Sequence, residues 1–126
     1  MYFYQNSKSV KELYTKDFRV NSLDQNIIPL DGSPILIIFY AHWCPHCTNP
    51  STIEFMETLG KNLPEKTKIN VAAFNCASVD YNKGIAYNLG VYGYPTFVYF
   101  NNKHKWHKYQ GLMQMKPLIE WLIEKS

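Results

Sequence analysis

A run of six apolar residues, Ile35–Tyr40, constrains the fold of this chain more than any other feature. Its length and its content of isoleucine and aromatic residues are typical of a β-strand. A strand in which apolar and polar residues do not alternate is expected in a sheet that is covered on both faces. The run therefore predicts a buried central strand with helices on both sides of its sheet.

The rest of the chain supplies the elements that such a sheet needs. Apolar runs predict further strands over 10–14, 69–74, 96–100 and 105–109. Helical spacing predicts helices from Thr15 through Phe18 and Leu23, from near Cys44 to Gly60 or Pro64, over 79–88 and over 115–125. Residues 26–34 contain two prolines and a glycine, which predicts a loop. This order predicts an α/β fold with a central mixed sheet and helices on both faces.

Length and composition favour one globular domain over residues 1–126, with 1–9 as a poorly ordered N-terminal extension. A hydrophobic content of 46% excludes a disordered chain. The net charge is only +3 and the lysines are spread along the chain, so no nucleic-acid partner is expected. No run approaches the roughly 18 apolar residues of a membrane span. The oligomeric state is left open.

The first ten residues and the cysteine count bear on location. Asn6, Ser7 and Lys8 stand where a secretory signal would place its apolar segment, so we expect no such signal and a cytoplasmic protein. Three cysteines, an odd number, do not suggest an extracellular scaffold held by disulfides.

The motif Trp43-Cys44-Pro45-His46-Cys47 follows the central strand and opens the second predicted helix. Two cysteines at this spacing are about one helical turn apart, so their sulfurs can join or separate with little backbone movement. The free N–H groups and the dipole at a helix N-terminus favour the thiolate of Cys44. We therefore predict that Cys44 attacks and Cys47 resolves, which is the chemistry of thiol–disulfide exchange.

Residues beside the cysteines suggest further roles. His46 can donate a hydrogen bond to the Cys44 thiolate or place positive charge near it, which would make the disulfide more oxidising. Trp43 is expected on the exposed lip of a substrate groove. Cys76 is predicted to be an inert core residue.

A zinc site is the main alternative for the cysteines. Cys44, His46, Cys47 and one further ligand could in principle bind zinc in a tetrahedral arrangement. No second CxxC and no HxxxH occurs at a suitable spacing. We therefore expect no metal and no cofactor other than the cysteine pair itself.

The chain resembles thioredoxin-fold proteins, closest to single thioredoxin-like domains of the protein disulfide isomerase type. The resemblance is carried by Phe39-Tyr40-Ala41-His42-Trp43-Cys44-Pro45-His46-Cys47, by Gly90-Val91-Tyr92-Gly93-Tyr94-Pro95-Thr96 and by Tyr109-Gln110-Gly111. It implies a protein thiol–disulfide oxidoreductase that acts on protein or peptide substrates and is recycled by a second redox partner.

The resemblance also implies site roles. Pro95 would follow a cis peptide bond beside the cysteines, and Trp43, Pro45, Tyr94 and Pro95 would frame the substrate. Because proline has no N–H group, the backbone at Tyr94 would stay free to pair with an extended substrate segment. The same Pro-His dipeptide occurs in the strong bacterial oxidant DsbA, which implies a reduction potential above that of thioredoxin.

Three departures from the isomerase pattern weaken this comparison. The buried acid of the preceding strand is replaced by Ile38, the lysine after the second cysteine by Thr48, and the arginine after the Tyr-x-Gly element by Met113. An apolar setting would keep the Cys47 thiol protonated and slow its attack, unless a water or His42 carries the proton. A second function therefore stays open: a binding module that holds a partner peptide in the Tyr94-Pro95 groove without turnover.

Overall fold

The computed structural model describes residues 2–20, 27–30, 34–78, 80–103 and 105–126, without the side chains of residues 80 and 81. The strands are β1 (Lys11–Leu13), β2 (Phe18–Val20), β3 (Ile27–Pro29), β4 (Ile35–Tyr40), β5 (Asn70–Asn75), β6 (Thr96–Phe100) and β7 (Trp106–Lys108). The helices are α1 (Pro45–Thr48), α2 (Pro50–Thr67), α3 (Asp80–Asn88) and α4 (Met115–Lys125), and Thr15–Asp17 form a 3₁₀ turn.

The main sheet has five strands in the order β1-β5-β4-β6-β7. Strands β1, β5 and β4 run parallel, whereas β6 and β7 are antiparallel to their neighbours. Every residue of the central strand β4 is at most 3% exposed. The predicted α/β fold with a mixed sheet and a fully buried central strand is confirmed.

Helices cover both faces of this sheet because its residues are apolar on both sides. One core cluster joins the first face to α2 and α4; its members include Leu36, Ile38, Tyr40, Met56, Leu59, Leu118 and Leu122. A second cluster joins the opposite face to α3; its members include Ile37, Phe39, Phe74, Ala86 and Val98. Both cysteines of the motif belong to the first cluster, so the motif lies above the face that α2 covers.

The prediction of a helix from Thr15 through Phe18 is wrong beyond its first turn. Phe18–Val20 are a strand that pairs antiparallel with Ile27–Pro29, which also corrects the predicted loop over 26–34. The ring of Phe18 lies 4.9 Å from that of Phe74 in an edge-to-face contact. Packing against the main sheet thus outweighs the weak helical pattern. Leu23 lies outside the described residues.

The motif helix begins where the sequence predicts but continues further. Asn49 separates α1 from α2, and its side chain accepts a hydrogen bond from the Thr52 N–H at 2.9 Å. Pro50 therefore takes the first helical position, where its missing N–H costs nothing. Neither Gly60 nor Pro64 ends the helix, which continues to Thr67 and is capped by Lys68.

The N-terminal segment is part of the fold. The prediction of a poorly ordered extension does not describe Tyr4, which is 1% exposed. Its ring packs on Tyr40 at 5.6 Å, and its N–H donates to the Glu12 carboxylate at 3.0 Å. Farther along, the Ser7 hydroxyl donates to Glu57 on α2 at 3.0 Å. Among the described residues, no helix is long and apolar enough to cross a membrane.

Candidate active site

Cys44 stands at the junction between β4 and α1, as the N-cap of that short helix. Its N–H donates to the Ala41 carbonyl at 3.0 Å, which closes a turn directly after the strand. The Cys44 carbonyl then accepts the N–H groups of Cys47 and Thr48 at 3.0 and 3.2 Å. These bonds hold the two cysteines one turn apart, with the first at the start of the helix and the second inside it.

The two thiols differ in exposure in the order that the sequence predicts. Cys44 is 8% exposed and Cys47 is 2% exposed. Burial raises the pKa of the Cys47 thiol, and neighbouring Cys44 raises it further, while the Ala41 backbone opposes the shift. Ile38, on the strand below, is completely buried in the same cluster. The apolar setting that the sequence predicts for Cys47 is therefore present.

Tyr94 and Pro95 lie beside the attacking cysteine. The Cys44 thiol donates to the Tyr94 carbonyl at 3.7 Å, and the Tyr94–Pro95 peptide bond is cis. Trp43 is 64% exposed, and its ring meets that of Tyr94 at 6.0 Å. The structure thus places Trp43, Tyr94 and Pro95 next to Cys44, and their role in binding a substrate stays a prediction.

His46 and Pro45 are exposed between the cysteines. The His46 carbonyl accepts the Thr52 hydroxyl at 2.8 Å, which fixes the backbone of the motif to the start of α2. His46 also lines a cleft of about 450 Å³ together with Tyr94, Pro95 and the segment 109–113. The role of His46 as a tuner of Cys44 stays a prediction.

A second cleft, of about 480 Å³, is also lined by Tyr94. Its walls include Trp43, Tyr92 and Lys83, and Cys76 borders it. Cys76 is 1% exposed and burial raises its pKa, as expected of the core residue that the sequence predicts. Sequence reasoning missed Tyr92, which is 70% exposed; an aromatic residue inside the Gly90–Pro95 motif was the available signal.

Sequence reasoning also missed Glu12, whose carboxyl group is buried on β1 at 6% exposure. Burial raises its pKa to about 7, although hydrogen bonds from the Tyr40 hydroxyl and the Tyr4 N–H oppose the shift. The Tyr40 hydroxyl donates at 2.7 Å. A single acid in the apolar pattern of 10–14 was the signal, because a charged residue seldom lies in a buried strand without a partner.

This carboxyl group should make the stability of the protein depend on pH. Its pKa is about 7 in the folded protein against a reference of 4.5, so the folded state binds its proton more tightly. The resulting stabilisation is complete below the reference value and is lost as the pH rises through 7. A shift of this size corresponds to about 3 kcal/mol. In Glu12→Gln, which cannot ionise, urea unfolding should show a smaller fall in stability between about pH 5 and about pH 8. An unchanged fall would contradict the assignment; exposed Glu54→Gln is the control.

No group of three or more His, Cys, Asp or Glu side chains is placed to hold a metal ion within residues 2–20, 27–30, 34–78, 80–103 and 105–126.

His42, two residues before Cys44, faces Asn75, whose amide nitrogen lies 3.1 Å from the ring Nδ1. The buried Asn75 therefore holds that ring against the end of β5.

Comparison with known proteins decides the family. The thioredoxin family model matches residues 9–124, which is most of the chain. The chain belongs to the thioredoxin family. A thioredoxin of Rickettsia bellii is 31% identical over 80% of this chain and 89% of its own length.

Protein disulfide-isomerases are similar to this thioredoxin-family chain over nearly its whole length. Protein disulfide-isomerase 1 of Dictyostelium discoideum is 27% identical over 98% of this chain. Protein disulfide-isomerase tigA of Aspergillus niger is 27% identical over 94% of it. The chain spans only 38% and 30% of these two relatives.

Solved structures agree on the thioredoxin fold. The first thioredoxin domain of mouse protein disulfide-isomerase A4 matches with a TM-score of 0.61 at 26% identity, over 75% of this chain and 64% of that one. Spinach chloroplast thioredoxin f matches with a TM-score of 0.66 at 19% identity, over 92% of both chains.

Proposed function

We propose that this domain is a protein thiol–disulfide oxidoreductase that uses Cys44 as nucleophile and Cys47 as resolving thiol. The observation that carries the proposal is the arrangement of the two thiols around one helix start. Cys44 touches the Tyr94 carbonyl next to the exposed Trp43, whereas Cys47 is buried one turn behind it. The less buried thiol can form a mixed disulfide with a substrate, and the second thiol beside it can then release that substrate.

In the reductive direction, the Cys44 thiolate attacks one sulfur of a substrate disulfide, and the other substrate sulfur leaves as a thiolate. Cys47 then loses its proton and attacks the Cys44 sulfur. The bond between Cys44 and the substrate breaks, and a Cys44–Cys47 disulfide forms. The oxidative direction is the reverse. A second redox protein or a small thiol must restore the starting state in either case.

The substrate is proposed to be a protein or peptide segment, because the shape of the surface beside Cys44 suits an extended chain. Two clefts, of about 450 and 480 Å³, share Tyr94 as a lining residue. An extended segment could pair with the backbone of Tyr94 next to Cys44, whose thiol lies 3.7 Å from the Tyr94 carbonyl. The aromatic side chains of Trp43 and Tyr94 give the segment apolar surface to cover.

His46 is proposed to raise the reduction potential. Its ring follows Cys44 by two residues and is exposed, and an imidazole N–H or a positive charge at this place would stabilise the Cys44 thiolate. A thiolate stabilised in this way is a better leaving group, and its disulfide is more oxidising.

The raised pKa of Cys47 favours a second candidate function. If resolution is very slow, the domain would hold a partner at the Tyr94-Pro95 groove rather than turn it over.

A turnover assay separates the oxidoreductase from the binding module. Catalytic amounts of the protein should accelerate the reduction of insulin by dithiothreitol, and Cys76→Ser should be as active as the unmodified protein. An uncatalysed rate would favour the binding module.

A further inference from the structure

Glu12 lies on the same face of the sheet as the cysteine pair. It is paired with Ala73, and Ala73 is paired with Ile38, so the three residues form one row across β1, β5 and β4. Side chains in such a row point to the same face. That face carries the cluster to which Ile38, Ala73 and Cys47 belong. The buried carboxyl group is therefore two strands from Ile38, under the same helices.

One oxygen of this carboxyl group is held and the other is not. Glu12 Oε1 accepts the Tyr40 hydroxyl at 2.7 Å and the Tyr4 N–H at 3.0 Å. Among the described residues, Glu12 Oε2 and the Tyr4 hydroxyl are the buried side-chain polar atoms without a hydrogen-bond partner. Buried polar atoms of this kind are usually hydrated or functional.

Tyr4 lies near both the carboxyl group and the resolving cysteine. Its side chain belongs to the cluster that contains Cys47. Burial raises the pKa of the Tyr4 hydroxyl, and the charges of Glu12, Glu57 and Cys47 raise it further. The hydroxyl thus lies within electrostatic reach of both the carboxyl group and the thiol, and it keeps its proton through the neutral range.

Solvent can reach this region without crossing the substrate surface. A cleft of about 610 Å³ is lined by both Tyr4 and Glu12, and it lies between the N-terminal segment, β1 and the end of α2. Glu12 is 6% exposed, and exchange of a proton between its carboxyl group and water in the cleft is a step of the mechanism proposed below. The other titratable groups in its walls are Lys8, Lys11 and Tyr14.

We propose that Glu12 accepts the proton that Cys47 releases when it resolves a mixed disulfide. This inference rests on the proposed function. The proton leaves the Cys47 thiol and passes through the Tyr4 hydroxyl and water to the Glu12 carboxylate. The Cys47 thiolate attacks the Cys44 sulfur, the bond from Cys44 to the substrate breaks, and the substrate thiolate takes a proton from solvent. Glu12 then returns its proton to the water of the cleft.

The charge state of Glu12 suits this role near neutral pH. With a pKa of about 7, a large share of the group is ionised and can accept a proton, and the acid can release it again. The groups that face this path are Tyr40 on β4, Glu57 on α2, and Cys44 beside Cys47. The Glu57 carboxylate accepts a hydrogen bond from the Ser7 hydroxyl, so its hydrogen-bond partner is not one of those that hold Glu12.

Single-turnover kinetics test the proposal. The reduced protein is mixed with a small peptide disulfide, and release of the first thiol (attack by Cys44) is separated from release of the second (resolution by Cys47). In Glu12→Gln the second phase should slow about tenfold at pH 8, and its dependence on pH near 7 should disappear, while the first phase is unchanged. Glu54→Gln, which changes an exposed carboxyl group on α2, is the control and should keep both phases.

Tyr40→Phe provides a second variant that keeps the ring packing. Removal of the hydroxyl takes away a donor to the carboxylate, so the pKa of Glu12 and the midpoint of the second phase should both move to higher pH. A Glu12→Gln protein with the unmodified rate and midpoint would overturn the proposal, as would an unmoved midpoint in Tyr40→Phe. If the unmodified protein shows no first phase, the proposed function itself fails.

Discussion

Replacing Cys44 with serine should reduce insulin turnover to the rate of dithiothreitol alone. A serine hydroxyl does not ionise near neutral pH and cannot form a disulfide, so the first step of the exchange is lost. The Cys44 thiol is the one that touches the Tyr94 carbonyl beside exposed Trp43, whereas Cys47 is buried behind it. Cys47 should not substitute for it.

Replacing Cys47 should trap the substrate on the protein, whereas replacing Cys44 prevents the covalent bond from forming. Cys47→Ser leaves the attack by Cys44 intact but removes the thiol that releases the substrate, so mixed disulfides should accumulate. They are measured as a mass increase equal to the peptide, reversed by excess dithiothreitol. Cys76→Ser, which removes a thiol that is hydrogen-bonded to the Phe74 carbonyl at 3.8 Å, is the control and should behave as the unmodified protein.

Full activity of Cys44→Ser would refute the proposed mechanism.

Gly60→Ala should destabilise the fold by about 2 kcal/mol, because it overpacks a tight contact between α2 and the N-terminal segment. A Cβ at residue 60 would overlap the carbonyl group of Ser9, which is backbone and cannot rotate away. The two elements would have to separate, and the neighbouring contact between Ser7 and Glu57 would be strained. Urea unfolding measures the loss.

Gly84→Ala is the matched control, since it places the same methyl group on a helix without a contact. Apart from its chain neighbours and the backbone of its own helix, no atom of the described residues lies within 4 Å of a Cβ at this position of α3. Alanine forms helix better than glycine, so this variant should gain about 0.5–1 kcal/mol. Equal effects of the two substitutions would contradict the close contact at Gly60.

The central part of the fold follows from local patterns. The apolar run of β4 and the periodicity of α4 predict these elements with correct bounds, because burial on both faces or on one face leaves a clear signature in the sequence. The spacing of Cys44 and Cys47 likewise predicts that the two thiols form a single site, because their separation depends only on local helix geometry.

Features that depend on distant contacts were not predictable. Phe18–Val20 becomes a strand because it pairs with Ile27–Pro29 and packs on Phe74. Helix α2 passes Gly60 because the glycine fits against Ser9. Residues 5–9 are all polar, which favours a poorly ordered segment, yet Tyr4 just before them is buried through contacts with Tyr40 and Glu12. In each case the contact that decides the structure is made with another part of the chain, so the local sequence pattern does not reveal it.

Glu12 shows the same limit for the site. The sequence predicts that Cys47 lacks an acid in β4, because Ile38 occupies that position. Only the register of β1 with β5, and of β5 with β4, shows that a carboxyl group lies on the same face two strands away. Register between parallel strands is set by the whole sheet and not by either strand alone.

The reduction potential of the Cys44–Cys47 pair tests the central claim most directly. The protein is equilibrated with defined ratios of reduced to oxidised glutathione, and its free thiols are counted after alkylation. We expect one two-electron transition, in which Cys44 and Cys47 form a disulfide while Cys76 stays a free thiol, at a potential above the roughly −270 mV of thioredoxin. A potential at or below that value would remove the role of His46, and the absence of a Cys44–Cys47 disulfide at any ratio would contradict the proposed function.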